Sequence, residues 1–323
     1  MIIGQDRAVE QFSASWKRAT LHHAWLLAGP KGVGKSTFAR AAAKRVLAEA
    51  AGPPVDAPGL ETPEDHRISR LVEAGSHPDL RWLERLVNEK TGNLARNITV
   101  DQVRSLSDLF DLTPALSPWR VVVIDSIDEL EKAAANALLK MLEEPPANTI
   151  FFLVSHAPGR LLPTIRSRCR RLDFQSLDDE AMTSILAKLL PEQRDFERVR
   201  LVAGADGSIG RALAMAEFDL VSLEEKAIKI LRRGDPTNGR RSELATQLGK
   251  RGAGDRYAAF LEILPSIIAR ESRALSGAPR QRAVEAYSKA RELVAIAPRL
   301  SLDPASTVFQ LGGILASVAD PLP

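Results

Sequence analysis

A short apolar run, Ala24-Trp25-Leu26-Leu27-Ala28, stops at Gly29-Pro30-Lys31-Gly32-Val33-Gly34-Lys35-Ser36-Thr37 and restarts as an alanine-rich helical pattern. The break is a complete G-x-x-x-x-G-K-[ST] signature in the strand-then-helix setting that the signature requires. Gly29, Gly32 and Gly34 let the backbone curl so that consecutive N–H groups point into one hollow. The next helix directs its positive end at the same place. Such a hollow suits a phosphate chain, with Lys35 as a point charge for the outer phosphates and the Ser36 hydroxyl for Mg²⁺. The candidate nucleotide-binding set is therefore Gly29, Lys31, Gly32, Val33, Gly34, Lys35, Ser36 and Thr37.

At 323 residues the chain exceeds one ordinary core and predicts two or three domains. Apolar residues at 45% and charged residues at 26% describe a globular protein, and a formal charge of +3 confines any contact with an acidic partner to a local patch. One cysteine, Cys169, excludes an intramolecular disulfide and a cysteine-clustered zinc site, so no zinc is expected. No apolar run approaches about 18 residues, and no basic stretch leads into an apolar one at the N-terminus. The expectation is a cytoplasmic protein in a reducing compartment.

Strands are predicted at Ala24–Ala28, Asp79–Leu83, Arg120–Asp125, Thr149–Val154 and Arg170–Phe174. Helices are predicted over Gln5–Ala19, Thr37–Ala51, His66–Ala74, Thr99–Asp111, Lys132–Leu142 and Leu161–Arg168. The continuous β-branched run Val121-Val122-Val123-Ile124 is of the kind buried on both faces of a parallel sheet. Gly52–Pro63 and Asn88–Asn97 read as loops, and His66 and His77 as surface residues. Strand–helix alternation over the first half indicates a parallel α/β sheet. After Phe174 only helical patterns remain. Boundaries near Phe174 and Phe218 divide the chain into 1–174, 175–217 and 218–323.

Asp125 ends its strand where a carboxylate would hold Mg²⁺ beside the glycine loop, directly or through water. Rapid hydrolysis further needs a base that aims water, and in many proteins with this loop it is the next residue. Here that residue is Ser126. Asp128 and Glu129 lie nearby, but a shift of two or three positions at a strand end spoils in-line geometry. The pocket reads as one that holds nucleotide and hydrolyses it poorly.

Three further runs carry a resemblance: Val121–Asp125; Asn136-Ala137-Leu138-Leu139-Lys140-Met141-Leu142-Glu143-Glu144-Pro145-Pro146; and Leu162-Pro163-Thr164-Ile165-Arg166-Ser167-Arg168-Cys169. With Gly4-Gln5 they make residues 1 to about 215 resemble the clamp-loader branch of the AAA+ ATPases, and the serine at position 126 resembles its delta-prime subunits more than its gamma/tau ATPases. The resemblance implies a RecA-like sheet domain, a helical lid and a C-terminal helical collar for oligomerisation. It implies that Arg168 reaches in trans into a neighbour's nucleotide site, where a guanidinium neutralises the transferred phosphoryl group. ATP or ADP with Mg²⁺ at Ser36 and Asp125, gamma/tau ATPase and delta subunits, and a sliding clamp on primed DNA are the implied ligands and partners.

Departures from that family pattern are visible. Gly52–Ala74 holds no cysteine where many relatives carry a structural zinc module. Ser155-His156 occupies the sensor-1 place, which makes Ser155 a nucleotide-binding candidate. Arg211 in Gly207-Ser208-Ile209-Gly210-Arg211 stands one step of 100° from the sensor-2 arginine position. The basic run Arg232, Arg233, Arg240, Arg241, Lys250, Arg251 lacks interleaved aromatics and reads as a solvated surface. A gamma/tau-like ATPase, or an autonomous AAA+ ATPase using Asp128 or Glu129 as base, is the alternative.

Overall fold

The structure is a computed structural model that describes residues 2–18, 21–87 and 94–319. The chain divides into two compact units, residues 1–181 and 182–323. The first carries the sheet. Its elements run α1 (Asp6–Lys17), β1 (Ala24–Ala28), α2 (Lys35–Ala51), α3 (Arg67–Glu73), β2 (Leu80–Glu84), α4 (Val100–Arg104), α5 (Leu106–Asp111), β3 (Arg120–Asp125), α6 (Lys132–Glu143), β4 (Thr149–Ser155), α7 (Pro163–Arg166) and β5 (Arg170–Asp173). The strands pair in parallel in the order β2-β3-β4-β1-β5.

The period of two along each strand assigns the faces. Trp25, Leu27, Val121, Val123, Phe152 and Val154 join Phe12 of α1, Phe38 of α2 and Val72 of α3 in one core. Leu26, Val122, Ile124, Phe151 and Leu153 join Val103, Leu106, Leu138 and Ile165 from α4, α5, α6 and α7 in the other. A sheet covered on both sides explains why β1 and β4 are apolar at nearly every position.

Several element ends differ from the sequence expectation. The helix expected over Thr99–Asp111 opens on a Thr99/Gln102 capping box but breaks at Ser105, whose hydroxyl donates to the Gln102 carbonyl at 2.8 Å. The helix expected from Leu161 begins at Pro163, because proline at the first helical position excludes helix from the residue before it. Residues 88–93 of the expected loop, and Ala19 at the end of the first helix, lie outside the described residues.

His77 is a correction: it is 3% exposed. Its Nδ1 accepts the Asp79 N–H at 3.1 Å, and the Asp79 carboxylate accepts the N–H groups of Ala115 and Leu116 at 2.7 and 2.9 Å. This turn therefore knits two loops together, and burial lowers the His77 pKa.

The proline-rich stretch after α2 is organised by a buried arginine. Arg45 donates through Nη1 to the carbonyls of Ala57 (2.9 Å) and Glu61 (2.7 Å), through Nη2 to Val55 (3.0 Å), and through Nε to the Glu49 carboxylate (2.6 Å). The remaining oxygen of Glu49 accepts the Trp16 indole N–H.

The chain beyond β5 stays with the sheet for several residues, since Leu177 packs against Gly4 and leaves no room there for a Cβ. Then come α8 (Asp179–Leu189), α9 (Asp195–Ala205), α10 (Ile209–Glu217), α11 (Leu220–Arg233), α12 (Gly239–Leu248), α13 (Gly254–Ser272), α14 (Gly277–Ile296) and α15 (Pro304–Ala316). In the second unit α11 packs on α13, α13 on α14, and α12 along α15. The α12–α15 crossing is close: a Cβ on Gly312 would stand 2.5 Å from the Cβ of Arg241. Among the described residues no helix is long and apolar enough to cross a membrane.

Candidate nucleotide site and an arginine at the far edge

The glycine loop leaves the carboxyl end of β1 and enters α2 at Lys35. Gly32 and Gly34 hold φ of 77° and 99°, left-handed values that side chains resist. Gly29 is required for a different reason: a Cβ there would sit 2.2 Å from the Phe174 carbonyl oxygen. The loop is braced from both ends of the sheet unit. Gly29 donates its N–H to the Ser155 carbonyl at 3.3 Å. The buried Gln5 amide donates to the carbonyls of Val33 (3.2 Å) and Gln175 (2.8 Å).

Lys35 lies in the hollow, 3% exposed, with its ammonium donating to the carbonyls of Gly29 at 2.7 Å and of Pro30. Burial lowers its pKa to about 8 against the opposing pull of Asp125 and Asp128. Ser36 is half-buried, Val33 buried, and Lys31 and Thr37 exposed. A loop with left-handed glycines ahead of a 17-residue helix, with a buried lysine and a carboxylate in electrostatic range, fits a Mg²⁺-bound phosphate chain.

The carboxylates beyond Asp125 are committed elsewhere. The peptide after Asp125 is cis and leads into a 3₁₀ turn, Ile127–Glu129. The Ser126 side chain is buried, and its hydroxyl meets no partner among the described residues. Asp128 accepts the Ser155 hydroxyl (2.9 Å) and the N–H groups of His156 and Ala157. Glu129 pairs with Arg85 at 2.8 Å, and burial raises its pKa. Ser155, expected to face the nucleotide, thus spends its hydroxyl on Asp128. Burial and the Lys35 charge lower the His156 pKa.

Arg168 is not part of this cluster. It precedes β5, at the amino edge of a parallel sheet whose carboxyl edge carries the loop. The five residues of β1 separate the two edges by about 13 Å or more. Its side chain is 34% exposed, with the guanidinium ion-paired to Glu143 at 2.8 Å and donating to the Thr164 carbonyl at 2.9 Å. Arg168 therefore stands apart from its own chain's loop.

The remaining candidates have internal roles. Arg211 pairs with Asp206 at 2.7 Å and reaches the Ser266 hydroxyl at 3.2 Å, both within the helical unit. Of the basic run, Arg232 pairs with Glu271, Arg240 donates to the Gly234 carbonyl, and Arg241 pairs with Asp235 while lying over Phe309. Cys169 packs at the border of the second core, and burial raises its thiol pKa to about 12, which makes it inert.

Sequence reasoning missed the committed state of Asp128, the brace made by Gln5 and the pairing of Glu143. Only Gln5 had a signal, the Gly4-Gln5 pair in the resemblance.

Comparison with known proteins places this geometry. Residues 4–178 match the family described as "DNA polymerase III, delta subunit". The chain is 37% identical over 191 residues to the DNA polymerase III subunit delta' of Pseudomonas aeruginosa, covering 59% of this chain and 55% of that protein. It is 31% identical over 227 residues to the subunit tau of Bacillus subtilis, covering 70% of this chain and 37% of that one. The chain thus spans between about a third and about half the length of these two relatives. A DNA polymerase III gamma subunit-related protein of Thermotoga maritima superposes with a TM-score of 0.43 at 18% identity, covering 96% of this chain and 98% of that one. With a matched stretch that takes in the whole sheet, the glycine loop and Arg168, the chain belongs to the clamp-loader AAA+ family of DNA polymerase III subunits.

Proposed function

We propose that this chain is a delta-prime-type subunit of the bacterial clamp loader, acting in DNA replication. It binds ATP or ADP with Mg²⁺ without turning it over at speed, and it lends Arg168 to the nucleotide site of a neighbouring ATPase subunit. The observation that carries this reading is a complete phosphate loop beside a serine at 126, after Asp125, and two carboxylates already engaged: Asp128 bonded to Ser155 and Glu129 paired with Arg85.

On this reading Lys35 leaves the Gly29 and Pro30 carbonyls to meet the phosphates. The amides of Gly32, Gly34 and Lys35 receive the same charge, and Ser36 and Asp125 hold the metal. Mg²⁺ supplies neutralisation of phosphate charge when bound. Arg168 does the same for a phosphoryl group across a subunit boundary. The partners are gamma/tau ATPase subunits and a delta subunit, with the sliding clamp and primed DNA met through the complex in the cytoplasm. Within the helical part, a lid over 175–217 and a collar over 218–323 suit that assembly.

Steady-state hydrolysis by the purified chain tests the reading. The expected rate is far below about 1 s⁻¹. Turnover near that rate, abolished by Lys35→Ala, would instead establish a gamma/tau-like ATPase, a second reading favoured by the identity to tau and the intact loop. In a reconstituted complex, Arg168→Ala is expected to leave assembly intact and lower ATPase activity.

A further inference from the structure

We infer that Glu143 is a positioning residue for Arg168 and, through it, for the terminal phosphoryl group of a nucleoside triphosphate held by a neighbouring chain. The inference rests on reading Arg168 as a trans-acting arginine.

An arginine on a loop at a sheet edge samples many rotamers, and a cation that must meet a small developing charge gains from being held before the encounter. Here two contacts from different elements fix the guanidinium plane. Nη2 meets the Glu143 carboxylate at 2.8 Å and Nη1 donates to the Thr164 carbonyl at 2.9 Å. The Thr164 carbonyl takes one of the five N–H donors of the group, and the Glu143 carboxylate holds Nη2 as an ion pair.

Glu143 is itself held in place. It is the last residue of α6, which runs from the carboxyl to the amino edge of the sheet in the crossover between two parallel strands. The helix end is pinned one residue earlier, where His23 Nε2 donates to the Leu142 carbonyl at 3.1 Å, and Leu142 is buried in the core. The carboxylate therefore stands on a rigid element, while the arginine stands on a short connection between α7 and β5. Both side chains remain partly exposed, 34% for Arg168 and 48% for Glu143, so a second chain can approach the pair.

The test uses the full chain reconstituted with the ATPase subunits of its clamp loader and measures kcat and KM for ATP. Glu143→Gln is expected to lower kcat about three- to tenfold with little change in KM. Glu143→Asp is expected to recover part of that loss, with complex assembly and thermal unfolding close to those of the parent. In an Arg168→Ala background, Glu143→Gln should have no further effect. Unchanged or raised kcat in Glu143→Gln, or an equal loss in the Arg168→Ala background, would overturn the assignment of Glu143 while leaving Arg168 in its role. If Arg168→Ala itself changes nothing, the trans-acting reading fails and the inference fails with it.

Discussion

Asp128 accepts the Ser155 hydroxyl at 2.9 Å and the Ala157 N–H at 3.3 Å, so a carboxylate beside the phosphate loop serves as a tie between the ends of β3 and β4. A group used in this way is worth more to folding than to hydrolysis. Asp128→Ala is expected to lower the unfolding free energy by about 1–3 kcal/mol, since it strands polar groups that the carboxylate satisfies. Urea denaturation reads this directly. A large loss of ATP turnover with unchanged stability would make Asp128 a base instead.

Lys35 gives a pH dependence with a definite sign. Its pKa in the free chain is lowered to about 8, and a phosphate chain raises it again, so binding takes up a proton once the pH exceeds that value. Affinity for ADP should be nearly flat below about pH 7.5 and should fall toward tenfold per pH unit well above 8. Fluorescence titration from pH 6.5 to 9.5 checks this. Lys35→Met should remove both most of the affinity and the slope.

Gly29 has no space for a methyl group. In Gly29→Ala the new Cβ would lie 2.2 Å from the Phe174 carbonyl, backbone that is itself tied to Ala28 at 2.7 Å. The loop or the end of β5 must move, at about 2 kcal/mol or more. A lowered melting temperature together with weakened nucleotide binding is the expected pair of outcomes.

Arg45 replaces many local contacts with one hub. Arg45→Met keeps most of the stem packing but leaves the carbonyls of Val55, Ala57 and Glu61 without their donor. About 2–4 kcal/mol of stability should be lost. Limited proteolysis should cut between residues 53 and 61 well before the rest of the sheet unit.

The parts of the fold legible in the sequence are those where local pattern and tertiary burial agree. The β1 and β3 bounds, Ala24–Ala28 and Arg120–Asp125, follow from apolar runs that end at a glycine and at a carboxylate. The glycine loop was equally plain, because its chemistry requires fixed residue types at fixed spacing. His77 was misplaced because polarity is a poor guide where one side chain closes a turn with its own neighbour. The commitments of Asp128 and Glu143 were invisible for another reason: their partners lie 27 and 25 positions along the chain, and nothing in local sequence says which carboxylate will meet which donor.

The Gln5 amide closes a circuit 170 residues long when it meets Gln175, and it does so while holding the Val33 carbonyl. Contacts that distant in sequence form late, because the chain between them must first be ordered. During synthesis, then, the opening turn of α1 waits until the last strand of the sheet has been made and has joined β1. The turn that carries Gln5 is translated well before β5 yet reaches its final setting only after it, and the phosphate loop is finished at that same moment.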